Sequence, residues 1–246
     1  MSNEPLYHDP ALALFYDLPN RARPDFDYCT KLAREAASVL DLGCGTGELA
    51  AALAEERAVT GVDPAAAMLE IARARPGGER VTWHQGDARS VRLGRRFDLI
   101  ILTGHAFQVF LTSEDQQAAL ATIAAHLAPD GRFVFDTRNP ACRLWETRNR
   151  HNTRRDLHHP QLGQIEMWSE STYDENCCVL TYTNSFLVKT TGQVCSASSR
   201  IRYTPQEDLA AMLERAGLSV DAWLGDWHGT PFQPDAREII PIGYLA

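Results

Sequence analysis

The chain has 246 residues, 44% hydrophobic and 23% charged, which suits one globular domain with an elaboration. Its net charge of −8 argues against binding nucleic acid by phosphate neutralisation, which needs a basic face. No stretch approaches membrane-spanning length, no positive start leads into an apolar run, and the six cysteines show no CxxC pair or zinc spacing. A cytoplasmic protein with free thiols, no membrane association and no metal is the expectation.

Residues 1–37 form a lead-in bearing Tyr7, Phe15, Tyr16, Phe26 and Tyr28. Val39 to Leu42 is an apolar strand pattern that carries Asp41, and Gly43, Gly45 and Gly47 follow at every second position. Glycines there permit a tight turn and let a ligand approach the main chain without meeting a Cβ. Helix-favouring residues begin at Glu48. Val59 to Asp63 reads as a second strand ending in an acid, with Asp63 as N-cap and Pro64 as first residue of the next helix. Met68, Leu69 and Ala72 then recur at helical spacing. Gly86-Asp87-Ala88-Arg89 follows a third strand, and Phe97 to Leu102 reads as the fourth. Ser113 and Gln116 predict a capping box, ahead of a helix with Leu120, Ile123, Ala124 and Leu127 on one face. Leu127 to Phe135 reads as a turn into a fifth strand, so parallel βαβ units are expected from Val39 to Asp136.

Beyond Asp136 the texture changes. The basic run Arg148 to Arg155 reads as a solvated loop. Ile165 to Tyr173, Val179 to Lys189 and Val194 to Tyr203 are rich in Thr, Val and Tyr and predict an antiparallel meander. Thr204 to Glu207 reads as a capping box with Pro205 at the first helical position, and Gly217 closes that helix. Two last strands are expected, about Leu218 to Leu224 and Arg237 to Leu245.

The run Asp-x-Gly-x-Gly-x-Gly, the acids at Asp63 and Asp87, and the fourth and fifth strands are together similar to the class I S-adenosylmethionine-dependent methyltransferases. The resemblance is close over residues 39–136 and looser beyond. It implies an α/β fold with a doubly wound, Rossmann-like, mainly parallel sheet and an antiparallel β meander inserted after the fifth strand. The domain reading is a lid over 1–37, a cofactor domain over 38–137 and 204–246, and a substrate or dimer lobe over 138–203. That family places its last strand inside the sheet. Pro241 cannot donate a ladder bond there, so either the strand is interrupted or the C-terminus departs from the pattern.

The resemblance also implies roles. Gly43, Gly45 and Gly47 would bring backbone to the methionine part of S-adenosylmethionine, and Asp41 would meet its ammonium group. Asp63 would accept from the ribose hydroxyls, a role compatible with helix capping. Met68 would pack on the adenine or simply serve the core. Asp87 would accept from the adenine amino group or act as a turn residue, with the Ala88 N–H donating to the ring. Thr103 lies at the amino-acid end and Tyr16 is a further cofactor contact. His105 would face the transfer site, as a general base or as part of the wall. Arg138, Trp145 and His228 are candidate acceptor contacts, with Tyr7, Trp168 and Trp227 as further aromatic candidates for the pocket wall. Arg138 would meet an acceptor carboxylate or form a surface salt bridge.

The expected activity is methyl transfer to a small-molecule acceptor by in-line displacement, with S-adenosylhomocysteine as product. The alternatives are a protein or RNA methyltransferase, and a non-catalytic regulatory protein that binds the cofactor. The 138–203 segment would roof the acceptor pocket or mediate a homodimer.

Overall fold

The structure, a computed structural model, describes Phe15 and residues 23–246. Tyr7 and Tyr16 lie outside the described residues. Helix α1 (Pro24–Leu32) leads into the main sheet, whose strands are β1 (Ser38–Leu42), β2 (Ala58–Asp63), β3 (Thr82–Gln85), β4 (Phe97–Leu102), β5 (Leu127–Phe135), β11 (Leu218–Leu224) and β12 (Glu238–Leu245). Their order is β11-β12-β5-β4-β1-β2-β3, and the short β6 (Thr137–Arg138) pairs with β12. Strands β1 to β5 run parallel, while β12 is antiparallel to both neighbours.

The apolar runs of the parallel strands follow from burial on both faces. Leu40, Leu42, Ile100, Leu102, Phe133 and Phe135 meet helix α4 (Ser113–His126) and helix α6 (Gln206–Arg215) through Leu120, Ile123, Leu209 and Leu213. Val39, Leu99, Ile101 and Val134 point the other way, onto α1 and helix α2 (Glu48–Leu53) through Cys29, Leu49 and Leu53. The strand order reverses between β1 and β4. That switch point opens a crevice beyond the carboxyl ends of the strands, where such sheets bind ligands.

Three helix starts differ from the sequence reading. Helix α3 (Ala66–Ala74) begins two residues later than expected, and Asp63 instead accepts from the Ala65 N–H at 2.9 Å. Thr112, not Ser113, caps α4 by accepting from Asp115 N at 3.1 Å. Gln116 is fully buried and bonds Thr204 at 2.9 Å, so neither residue serves its expected capping box. Helix α6 starts at Gln206 behind an N-cap at Pro205, and Gly217 follows it in the left-handed conformation, φ 71°.

Strand β12 continues through Pro241, and its ladder adapts to the missing donor. Pro241 lies opposite Trp223 of β11, and on its other side pairing lapses between Ile239–Thr137 and Ile242–Val134. The expected terminal hairpin is therefore present, with its inner strand inside the sheet.

The inserted sheet has four strands, in the order β10-β9-β8-β7: β7 (Arg155–His159), β8 (Gly163–Asp174), β9 (Val179–Val188) and β10 (Gln193–Arg202). The extra strand, β7, and the short helix α5 (Arg150–Thr153) arise from the basic run read as a loop. Because side chains alternate, one face carries Ile165, Met167, Ser169 and Ser171 of β8 opposite Val188, Phe186, Asn184 and Tyr182 of β9. Its apolar end packs on Phe15, with the Phe15 and Phe186 rings 4.6 Å apart.

Gly47 is constrained twice. Its φ is 74°, and a Cβ would come within 2.4 Å of the Trp83 ring and 2.7 Å of the Ala72 Cβ. Gly47→Ala is therefore expected to cost about 2–4 kcal/mol, combining overpacking with left-handed strain. A denaturation midpoint equal to that of the parent would contradict this.

Candidate active site

The glycine loop is tied to β2 before any ligand arrives. Gly43 and Cys44 donate to the Val62 carbonyl at 2.7 and 3.0 Å, and Gly45 N donates to Asp63 Oδ2 at 2.9 Å. Gly43, Gly45 and Gly47 all take positive φ, of 84°, 52° and 74°. Such left-handed backbone is what favours glycine at all three positions of the turn. Asp63 is 8% exposed and braces the loop through one oxygen and the approach to α3 through the other.

Asp41 sits under the loop, 4% exposed. Burial pushes its carboxyl up to about 7, Asp63 and Asp25 add to the rise, and Arg23 opposes it. An incoming cation would restore the ionised form. Asp87 is engaged within its own turn: Arg89 donates to it through its backbone N–H at 2.9 Å and through Nη2 at 2.6 Å. Those bonds hold Asp87 below the usual carboxylate range, and Arg89 continues to Asp115 at 2.9 Å. Met68 is buried beside Ala65, while Ala88 belongs to the main core.

At the other side of the switch point, Thr103, Gly104 and His105 follow β4. His105 holds φ 62°, unusual for a residue with a Cβ. Its N–H donates to Asp136 Oδ1 at 2.9 Å, which fixes the loop to the end of β5. Its Nε2 lies 2.9 Å from Glu238 Oε2 and 3.5 Å from Asp136 Oδ2. Asp136 is raised by burial; His105 counters the rise and Glu238 adds to it. The ring thus sits between two carboxylates, one buried and one half-buried.

No carboxylate cluster is visible in the sequence, but tertiary structure assembles one. The donor atoms of His105, Asp136 and Glu238 all lie within 4.8 Å of one another, a set that could hold a metal ion. It equally suits proton handling, since a histidine between carboxylates can take a proton and keep the resulting charge paired. Glu238 escaped the sequence reading entirely. It is an acid opening the last strand, 133 positions from the histidine it meets.

The remaining candidates separate. Arg138, on β6, donates to the buried Gln108 at 2.9 Å. Trp145 stacks on Tyr173 at 3.9 Å and borders a recess with Pro140, Ala141 and Arg143. His228 is exposed and lines a different recess, with Tyr28, Lys31 and Trp227. Trp168 lies under Arg150, with the guanidinium 4.2 Å from the ring centroid.

A doubly wound sheet with a glycine loop and an acid ending β2 is the frame of the nucleoside-cofactor-binding class of α/β proteins. The methyltransferase-domain family matches residues 39–131. The chain is 27% identical to the cypemycin N-terminal methyltransferase of a Streptomyces species, covering 85% of this chain and 83% of that one. It is 32% identical to the trans-aconitate 2-methyltransferase of Azoarcus sp. strain BH72, over 70% of this chain and 74% of the relative. The S-adenosylmethionine-bound structure of CalS10, an amino pentose methyltransferase from Micromonospora echinaspora involved in calicheamicin biosynthesis, superposes with a TM-score of 0.71. That match is at 26% identity and covers 90% of this chain and 89% of CalS10. The chain belongs to the class I S-adenosylmethionine-dependent methyltransferases.

Proposed function

We propose that the protein methylates the nitrogen of a small-molecule amine. The observation that carries this reading is the histidine held between two carboxylates at the end of β4. An amine in neutral water is mostly an ammonium ion, which cannot act as a nucleophile. Asp136 and Glu238 would attract the ammonium, and the His105–Glu238 pair, joined by one hydrogen bond, would accept its proton and free the lone pair. The cofactor supplies the methyl group on a sulfonium, already a potent electrophile, so the protein's part is positioning, desolvation and this proton transfer. The names of two relatives support the amine: one is an N-terminal methyltransferase and another acts on an amino pentose.

For the cofactor, the residues present fit a cationic amino acid joined to a nucleoside. Asp41 would pair with the ammonium, the glycine loop would pass along the methionine part, and Asp63 would accept from the ribose. Met68 and Ala88 would flank the adenine, and Thr103 would border the amino-acid end. Asp87, filled by Arg89, would shape the adenine pocket more than bind it. No described helix is long and apolar enough to cross a membrane. Together with six free cysteines, this supports a cytoplasmic location.

The test is a panel of amines, alcohols and carboxylates with detection of S-adenosylhomocysteine. Amines should turn over, and transfer confined to oxygen acceptors would reject the reading. His105→Gln should slow the reaction about 10- to 100-fold at neutral pH without weakening cofactor binding. Its rate should then climb towards that of the parent as rising pH delivers more neutral amine from solution. A variant that matches the parent at every pH would leave proximity as the whole mechanism.

A further inference from the structure

Two arginines near the His105 cluster have no carboxylate partner among the described residues. Other arginines are matched to an acid, as Arg89, Arg132 and Arg154 are. Arg138 is different. It stands directly opposite Glu238 in the β6–β12 ladder, so the two side chains leave the same face of the sheet. Glu238 reaches His105, and Arg138 turns to the neutral Gln108.

Arg148 approaches from the inserted lobe. Its Nε donates to Ser169 Oγ at 2.8 Å, its Nη2 to Asn184 Oδ1 at 3.4 Å, and the guanidinium lies 4.2 Å from the Tyr182 ring centroid. Ser169 and Asn184 are cross-strand partners, as are Ser171 and Tyr182, so these residues form a polar patch on one face of the inserted sheet. Arg148 lies on Tyr182, which packs against the cluster holding Tyr203, while Gln108, the partner of Arg138, donates to the carbonyl of Arg202, the residue before Tyr203. Burial lowers the basicity of Arg148, and Arg138 adds repulsion. A guanidinium has five N–H donors, and neutral partners take only some of them here. Two cations brought to the same aromatic cluster thus keep donors that an anion could use.

We propose that Arg138 and Arg148 form a two-sided oxyanion subsite that takes a carboxylate or phosphate group of the acceptor. The acceptor class is then an amine that also carries an anionic oxygen group, an assignment that rests on the amine reading above. Guanidinium forks match both anions in geometry and charge. The signs orient the molecule, with the ammonium towards Asp136 and Glu238 and the anion towards Arg138 and Arg148.

Calorimetric titration of the full chain, loaded with S-adenosylhomocysteine, would use inorganic phosphate, pyrophosphate and acetate in turn. At least one should bind, more weakly as salt rises. Arg138→Gln and Arg148→Gln should each weaken that binding about tenfold or more, and Arg148→Lys should retain part of it. Arg132→Gln, on an exposed arginine paired with Asp221, should leave it unchanged. Binding of the phosphates alone would assign a phosphoryl group, and binding of acetate alone a carboxylate. Retained S-adenosylhomocysteine binding certifies the fold of each variant; if Arg148→Gln misfolds, Arg138→Gln decides. No anion binding by the parent, or binding that the folded glutamine variants keep, overturns the subsite. In the acceptor panel, acidic amines should show a KM about tenfold or more below their neutral amides, and Arg148→Gln should erase that gap. Equal KM values sink the subsite and spare the amine reading. Transfer to oxygen alone sinks the amine reading, while the anion titration still judges the subsite.

Discussion

Replacing Asp41 with Asn should stabilise the cofactor-free protein and weaken its hold on the cofactor. Both effects come from one buried carboxyl held up to about 7 by burial and by Asp63 and Asp25. Its unfolded value is about 3.9. Between those two pH values the folded chain binds the proton that the unfolded chain has released. This contribution to stability is therefore highest below pH 4 and is lost as pH rises to 7, by about 4 kcal/mol at most. The Asn variant lacks that slope, so its melting temperature should exceed that of the parent most clearly at pH 8.

Cofactor affinity should move the other way. If Asp41 pairs with the cofactor's ammonium, binding requires the ionised carboxyl. Affinity of the parent should then fall as pH drops below about 7, by up to about tenfold per unit. In Asp41→Asn the affinity should be about tenfold lower or more at pH 8 and flat with pH, since a charge-assisted bond is gone. Calorimetry with S-adenosylhomocysteine from pH 5 to 8 reads both. Parallel pH profiles for parent and variant would remove Asp41 from the cofactor site.

Asp63→Ala should be the most damaging single change at the cofactor site. It leaves the N–H groups of Gly45 and Ala65 without the carboxylate they now share, at a cost of about 1–3 kcal/mol each. It also removes the acceptor proposed for the ribose hydroxyls, so cofactor affinity should fall by roughly a hundredfold. Because Asp63 helps raise Asp41, the variant should also shift the pH midpoint of cofactor binding downwards. Asp63→Asn keeps one acceptor oxygen and loses the charge, so it should share the shift in midpoint and lose less affinity. If Asp63→Ala binds S-adenosylhomocysteine as tightly as the parent, the ribose assignment fails.

The local parts of this protein were legible from short windows of sequence. Short apolar runs, three glycines in Gly43 to Gly47 and acids at strand ends are backbone-level signals, each encoded within about ten residues. They determined the doubly wound sheet, the bare loop, the placement of Asp41 and Asp63, and the last strands almost to the residue. Caps were less legible. Gln116 and Thr204 look like cap residues, but they lie 88 positions apart in the sequence and bond each other in the core.

What the tertiary structure alone decided is the side-chain constellation at the carboxyl edge of the sheet. His105, Asp136 and Glu238 meet because β12 returns antiparallel beside β5 and delivers its first residue to the carboxyl edge of the sheet. Nothing near Glu238 in the sequence announces that partner. Arg148 belongs to a basic run whose neighbours look solvated, yet the folding of the inserted sheet buries its guanidinium against Tyr182. Short-range patterns specify backbone because helix and strand hydrogen bonds close over few residues or repeat along a face. A side-chain constellation is specified by strand order and register, which join residues more than a hundred positions apart and leave no periodic trace.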